Sequence, residues 1–192
     1  EGVNYTLVVH GLRDLSAAAN LIASNSQAGF SAVSYAPQDI GNPAIPGSVT
    51  LVPGGLNVTA GGTDIGGRAD QFFFNYQPRS GDFDLKLRVA ALSLSDVWAK
   101  AGLMARENLQ TNSRFAAVLA TPSAAGSFFE SRSVSNSAAT TSGTFPVNYP
   151  YTWLRLQRAG SQFTGYASWD GQAWSQLGTV TLALPSTIYF GM

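Results

Sequence analysis

The clearest hydrophobic pattern in the chain lies at residues 153–178, WLRLQRAGSQFTGYASWDGQAWSQLG. Leu154 and Leu156 alternate with Arg155 and Gln157. After Ala159-Gly160, the residues Phe163, Gly165 and Ala167 alternate with Thr164, Tyr166 and Ser168. A period of two marks a strand with one buried face. Asp170-Gly171 then predicts a two-residue type I′ hairpin turn, whose central positions both need positive φ. The third strand carries Trp174 and ends near Gly178. Together these make an antiparallel meander that the rest of the chain must extend.

The same alternation recurs upstream. At 82–92, Phe83, Leu85, Leu87 and Val89 point inward while Asp82, Asp84, Lys86 and Arg88 point outward. At 98–107, Ala99, Ala101, Leu103 and Ala105 share one side, and Trp98, Lys100, Gly102, Met104 and Arg106 share the other. Residues 70–77 place Phe72, Phe74 and Tyr76 on one face. Strands are also expected at 114–120 and 127–134, and at 49–52 and 56–60 around a Pro53-Gly54-Gly55 turn. Near the start, Tyr5, Leu7 and Val9 alternate with Thr6, Val8 and His10, Gly11 closes that strand, and a short extended piece follows near 28–30. Segment 31–48 reads as a connection, because Pro37, Pro43 and Pro46 bar a helix or a central strand. Segment 135–144, rich in Ser, Thr and Ala, reads as a loop. The one helical candidate is 16–23, and it is short. About ten strands separated by turn signals predict a two-sheet sandwich.

Composition narrows the setting. The 192 residues suffice for one large β domain, or a domain with a fragment. Charged residues make up 11 %, against roughly a quarter in ordinary soluble domains. Small and polar residues fill the difference, as in exported β-rich proteins. A net charge of zero without a basic stripe argues against nucleic acid. No apolar run approaches the roughly 20 residues of a spanning helix. The absence of Cys excludes disulfides and thiolate metal sites. Glu1 in place of an initiator Met implies a processed or cut start. An exported chain without disulfides suits a bacterial surface.

Two stretches resemble known families. In residues 1–30 the run Tyr5-Thr6-Leu7-Val8-Val9, then Gly11-Leu12, Asp14-Leu15 and Asn20, resembles the last two strands of bacterial Ig-like surface-protein domains. The tail either packs on the main domain to close an edge or completes a sandwich in a neighbouring chain, as donor strands do. Beyond a linker at 31–37, the blocks Asp39-Ile40-Gly41, Pro46-Gly47-Ser48, Asp64-Ile65 and Asp70-Gln71-Phe72 are followed by Trp98-Ala99-Lys100-Ala101-Gly102-Leu103-Met104 and Arg106-Glu107. With the closing Phe163-Thr164-Gly165-Tyr166, Asp170-Gly171 and Trp174, they are similar to bacterial concanavalin A-like (lectin/glucanase superfamily) modules. The resemblance covers 38–192 and implies an all-β, two-sheet antiparallel jelly roll with one concave sheet. Family domains run on past Ile188-Tyr189-Phe190-Gly191-Met192, so the chain is expected to be a piece of something longer or to take its last strand from elsewhere. Relatives also place a large aromatic where Ser131 stands, a platform for a sugar ring that is absent here.

Candidate chemistry is sparse. A glycosidase needs two carboxylates flanking one bond; the nearest pair, Asp82 and Asp84, continues into Lys86 and Arg88 and reads as a solvated face. Glu107 and Glu130 each follow or precede an arginine, Arg106 and Arg132, and read as salt-bridged. His10 lacks the partners of a nucleophile or zinc site. Asp64 and Asp70 are loop carboxylates of the kind that bind Ca²⁺, with Arg68 between them arguing against it. No catalytic residue, metal or cofactor is therefore assigned. A concave-face ligand site would use Tyr76, Trp98, Lys100, Arg106, Glu130 and Arg132, polar groups meeting hydroxyls above a stacking aromatic. An assembly surface would use Tyr5, Leu7 and Val9 at one end and Ile188 and Phe190 at the other, as strands lacking partners. The expectation is a non-catalytic structural or adhesive module of a large secreted or cell-surface protein. Its partners are further copies or neighbouring domains; the alternative is a glycan-binding module.

Overall fold

The computed structural model describes residues 3–32, 34–123 and 125–192, without the side chains of 3–5 and 30–32. Glu1 lies outside the described residues. The chain divides into two units, Glu1–Tyr35 and Ala36–Met192.

The smaller unit is one antiparallel hairpin, β1 (Val3–Val9) on β2 (Ser26–Ala32). Its long connection is organised by Asp14. That carboxylate accepts the Ser16 and Asn20 N–H groups, the Ser16 hydroxyl at 2.6 Å and the Asn20 amide at 2.9 Å. The bonds from Ser16 and Asn20 hold the Asp14 carboxyl down at about 2. They also explain why the 16–23 segment is turn and not helix: a local side-chain acceptor satisfies the N–H groups that a helix would use.

The larger unit contains β3 (Ala36–Ile40), β4 (Ser48–Val52), β5 (Gly55–Thr59), β6 (Phe72–Ser80), β7 (Phe83–Val89), β8 (Ala101–Arg106) and β9 (Phe115–Ala120). It continues with β10 (Ser127–Arg132), β11 (Thr140–Phe145), β12 (Thr152–Ala159), β13 (Gln162–Ser168), β14 (Ser175–Thr181) and β15 (Thr187–Gly191). No helix occurs among the described residues. One sheet has the order β11-β10-β9-β8-β15-β6-β3, a second β14-β13-β12-β7, and β4-β5 form a separate hairpin. The pairings within these sheets are antiparallel. Leu103, Ala105, Val118, Phe129, Ile188 and Phe190 of the larger sheet share one buried cluster with Phe83, Leu154, Leu156 and Phe163 of the smaller. The two sheets therefore pack face to face as a sandwich.

The expected meander is present as β12-β13-β14, with Leu156 opposite Gly165 and Gly165 opposite Gly178. Its second turn differs from expectation. Gly171 has φ +69, but Asp170 is not in the left-handed region, so the turn is not type I′. Instead Asp170 accepts the N–H groups of Gln172 and Ala173 at 2.8 Å, and Ser168 caps Asp170 and Gly171. A side-chain acceptor has replaced a backbone turn. The hairpin turn expected at Pro53-Gly54-Gly55 does form, with Pro53 and Gly54 as its two central residues, Gly54 at φ +81 and Gly55 already paired with Val52.

Two strands lie where connections were expected. β3 contains Pro37 and β11 lies within the 135–144 segment and beyond it. Both are edge strands with a single neighbour. Pro is barred only where both edges must donate, and an edge strand needs no hydrophobic alternation. The chain-terminal β15 corrects the opposite expectation. It lies between β6 and β8, with Phe190 opposite Gln77 on one side and Ala105 on the other. Ile188 and Phe190 are 1 % exposed. They are core, not an open assembly edge, and the described β15 already has two partners.

Candidate functional site

Alternation turns Phe72, Phe74 and Tyr76 of β6, Met104 and Arg106 of β8, Phe115 of β9, and Phe128, Glu130 and Arg132 of β10 away from the inter-sheet core. Lys100 precedes β8 with the same parity, whereas Trp98 lies in a turn before it, its N–H donated to the Asp96 carboxylate at 2.7 Å. The expected ligand residues other than Trp98 thus belong to one face of the seven-stranded sheet. Much of that face is covered. Ile40, Ile65 and Leu109 join Phe74, Met104, Phe115 and Phe128 in a second apolar cluster.

At the centre of the cover sits Asp70, 2 % exposed, between two fully buried arginines. Arg132 Nη2 meets Asp70 Oδ1 at 2.6 Å and Nη1 meets Oδ2 at 2.8 Å, while Arg106 Nη1 reaches Oδ2 at 3.2 Å. Arg132 also donates to the carbonyls of Ser137, Ser113 and Gly67, which engages all five of its N–H donors. Arg106 donates to Asn108 O and Gln110 O. The guanidinium of Arg132 lies 4.9 Å over the Phe115 ring and that of Arg106 5.2 Å over Phe72. Burial lowers the Arg106 pKa to about 10, against the pull of Asp70, so the group stays charged at neutral pH. Arg106 and Arg132 tie three connections to the sheet and have no free direction toward a ligand. That corrects their expected role.

The other expected residues fare differently. Tyr76 stacks on Phe74 at 5.5 Å and meets Tyr189 edge-on at 5.3 Å, as part of an aromatic row. Trp98 is 59 % exposed. Lys100 pairs with Asp64, whose side chain stands in solvent. Glu130 is 4 % exposed and does not pair with Arg132, which is committed to Asp70. Glu107 pairs with Arg114 at 2.5 Å, not with Arg106. Asp64 and Asp70 each face a cation, and no cluster of three metal-ligating side chains occurs among the described residues. Ser131 shares the parity of Phe129 and faces the inter-sheet core. An aromatic there would fill the interior and offer no platform on the outer face.

On the outer face of the four-stranded sheet, Asp84 forms a two-point pair with Arg155 and accepts from Gln157. The pair holds the Asp84 carboxyl below its ordinary range. Arg155 lies 5.1 Å over Tyr166 and 5.6 Å over Trp174. Asp82 accepts the Gly160 N–H at 2.7 Å. This stack and the role of Asp70 escaped the sequence reading. The arginines that end the strands AGLMAR and SFFESR, beside large apolar residues, were the available signal for a buried acid, since a buried cation needs a partner.

Fold and face together define an antiparallel β-sandwich protein with an ion-tied cover over one sheet. No family model and no curated protein matches the sequence. Among solved structures the chain is similar to a functionally unknown protein from Saccharomyces cerevisiae, at 15 % identity over 81 % of this chain and 84 % of that one, with a TM-score of 0.58. At that identity the likeness concerns the fold alone.

Proposed function

We propose that this protein is a non-catalytic structural or adhesive module of a larger secreted or cell-surface protein, its main unit a concanavalin A-like jelly roll. The jelly-roll reading is supported by the two packed antiparallel sheets and by the non-sequential order β8-β15-β6. The β1–β2 hairpin carries the functional reading. Leu7 is 54 % exposed, and Val8, Leu12, Leu15, Leu21 and Ile22 are exposed with it. Leu7 and Val8 point to opposite faces, so both faces of the ribbon present aliphatic side chains. A two-stranded ribbon is marginal in water without further strands. Among the described residues β1 and β2 pair with one another alone, which leaves the outer edge of each strand for pairing. The occupant is a strand of a second copy, and Leu7 and Val9 are the contact positions; the Tyr5 side chain lies outside the described residues. Light scattering over a concentration series is expected to show self-association. Leu7→Lys is expected to weaken it by about tenfold or more, since a buried Leu is worth about 1.5–3 kcal/mol. A monomer throughout that range would overturn the assembly.

A second reading rests on Trp98, exposed in the turn two residues before Lys100, which pairs with Asp64. An aromatic next to paired polar groups is the makeup of a sugar-binding surface. Binding on a glycan array that is lost in Trp98→Ala would support it, and a silent array would dismiss it.

A further inference from the structure

Glu130 is the buried acid that the ion ties do not absorb. Its Oε2 is enclosed with no hydrogen-bond partner. Directly over it lies Gly66, in the 61–71 loop. A Cβ at Gly66 would stand 2.5 Å from Glu130 Oε1 and 4.0 Å from Asp64 Oδ2, and Gly66 has φ +133. Only glycine suits that conformation and that approach. The loop is held down around this point. Gly66 O accepts the Ala139 N–H at 2.7 Å, Gly67 O accepts from Arg132, and Ile65 inserts into the apolar cluster of Phe74, Met104 and Phe128.

The charged groups facing Glu130 are Lys100 at the entry to β8, Asp64 and Asp70 from the loop, and Arg132 from its own strand. Both cations are already matched, Lys100 by Asp64 and Arg132 by Asp70. An ionised Glu130 would add a third carboxylate under the loop with one oxygen lacking a donor, a costly arrangement.

We propose that Glu130 and the 61–71 loop form a proton-controlled latch on the outer face of the seven-stranded sheet. With the carboxyl protonated, the loop is seated; when the proton leaves, the loop loosens around Gly66 and Ile65 withdraws from the apolar cluster. Burial raises the Glu130 carboxyl from its ordinary 4.5 to about 7, with Lys100 and Arg132 opposing and Asp64 and Asp70 adding to the rise. The seated form therefore binds a proton between these two values where a solvated carboxyl does not. Its stability falls as pH rises through that window and is lowest above it. The latch is closed in acid and loose in mild base.

Hydrogen exchange on the intact protein tests this at about pH 5.5 and about pH 8.5, as protection factors corrected for intrinsic rates. Protection of the Gln71 and Ala139 amides, which bond to Asp64 O and Gly66 O, is expected to fall by about tenfold or more at the higher pH. Leu154 and Leu156 in β12 are expected to keep theirs. Glu130→Gln is expected to show no such dependence, and Lys100→Met to move the change to higher pH. Equal protection at both pH values, an equal fall at Leu154 and Leu156, or persistence of the effect in Glu130→Gln would each overturn the latch. If Glu130→Gln does not fold, the wild-type contrast and the Lys100→Met shift decide.

Discussion

Asp70→Asn is expected to cost about 3–5 kcal/mol of folding stability, the usual penalty for removing one member of a buried ion group. Asp70 is the shared counter-ion of Arg106 and Arg132, whose side chains are fully buried. Its loss leaves two enclosed cations 36 and 62 residues away in sequence without an anion. Asn keeps the shape and one acceptor oxygen, so the loss reports on charge and not on a cavity. Urea denaturation followed by tryptophan fluorescence would measure it, and a midpoint close to wild type would refute the structural assignment. Replacing Arg132 by Met is not expected to rescue the variant. The guanidinium also serves the carbonyls of Gly67, Ser113 and Ser137, and an apolar side chain would leave these acceptors without their donor. The group thus tethers the connections around residues 67, 113 and 137 at one point, so its removal is expected to loosen the whole cover.

Phe190→Ala is expected to lower stability by about 3–5 kcal/mol and to leave association unchanged. The ring is 1 % exposed and lies 5.0 Å from Phe83 across the inter-sheet core. β15 is also the strand that joins β6 to β8, so a cavity there weakens both pairings. Thermal melting and light scattering on the same sample separate the alternatives. A variant that melts like wild type but associates less would restore the terminal strand as an interface. A variant that melts lower with unchanged association would place Phe190 in the core, as described.

The two sets of proposed assembly positions show how far a strand pattern reaches. Tyr5, Leu7 and Val9 carry the same alternation as Ile188 and Phe190. Alternation records that one face meets apolar surroundings; it does not say whether a neighbour occupies each edge. In β1 Leu7 and Val8 stand in solvent, whereas in β15 Ile188 and Phe190 are enclosed between sheets. Likewise the parity of 98–106 put Trp98, Lys100 and Arg106 on one side, and Glu130 and Arg132 were expected to join them on the concave sheet. Burial beneath the 61–71 loop then removed the arginines from any ligand.

What could be read from residues alone was local: strand after strand, their inward faces, the meander and the all-β class. Each follows from period-two burial or turn chemistry within a few neighbours. Edge strands β3 and β11 were hidden because Pro37 argued against a strand in the first and the Ser/Thr-rich sequence of the second carries no apolar alternation. The insertion of β15 between β6 and β8, the meeting of Asp70 with Arg106 and Arg132, and the isolation of the Glu130 carboxyl were decided by tertiary structure. Each depends on which distant segments share a surface. An ion pair or a missing partner depends on distance and solvent access between segments far apart in the chain, which the alternation of neighbouring residues does not report.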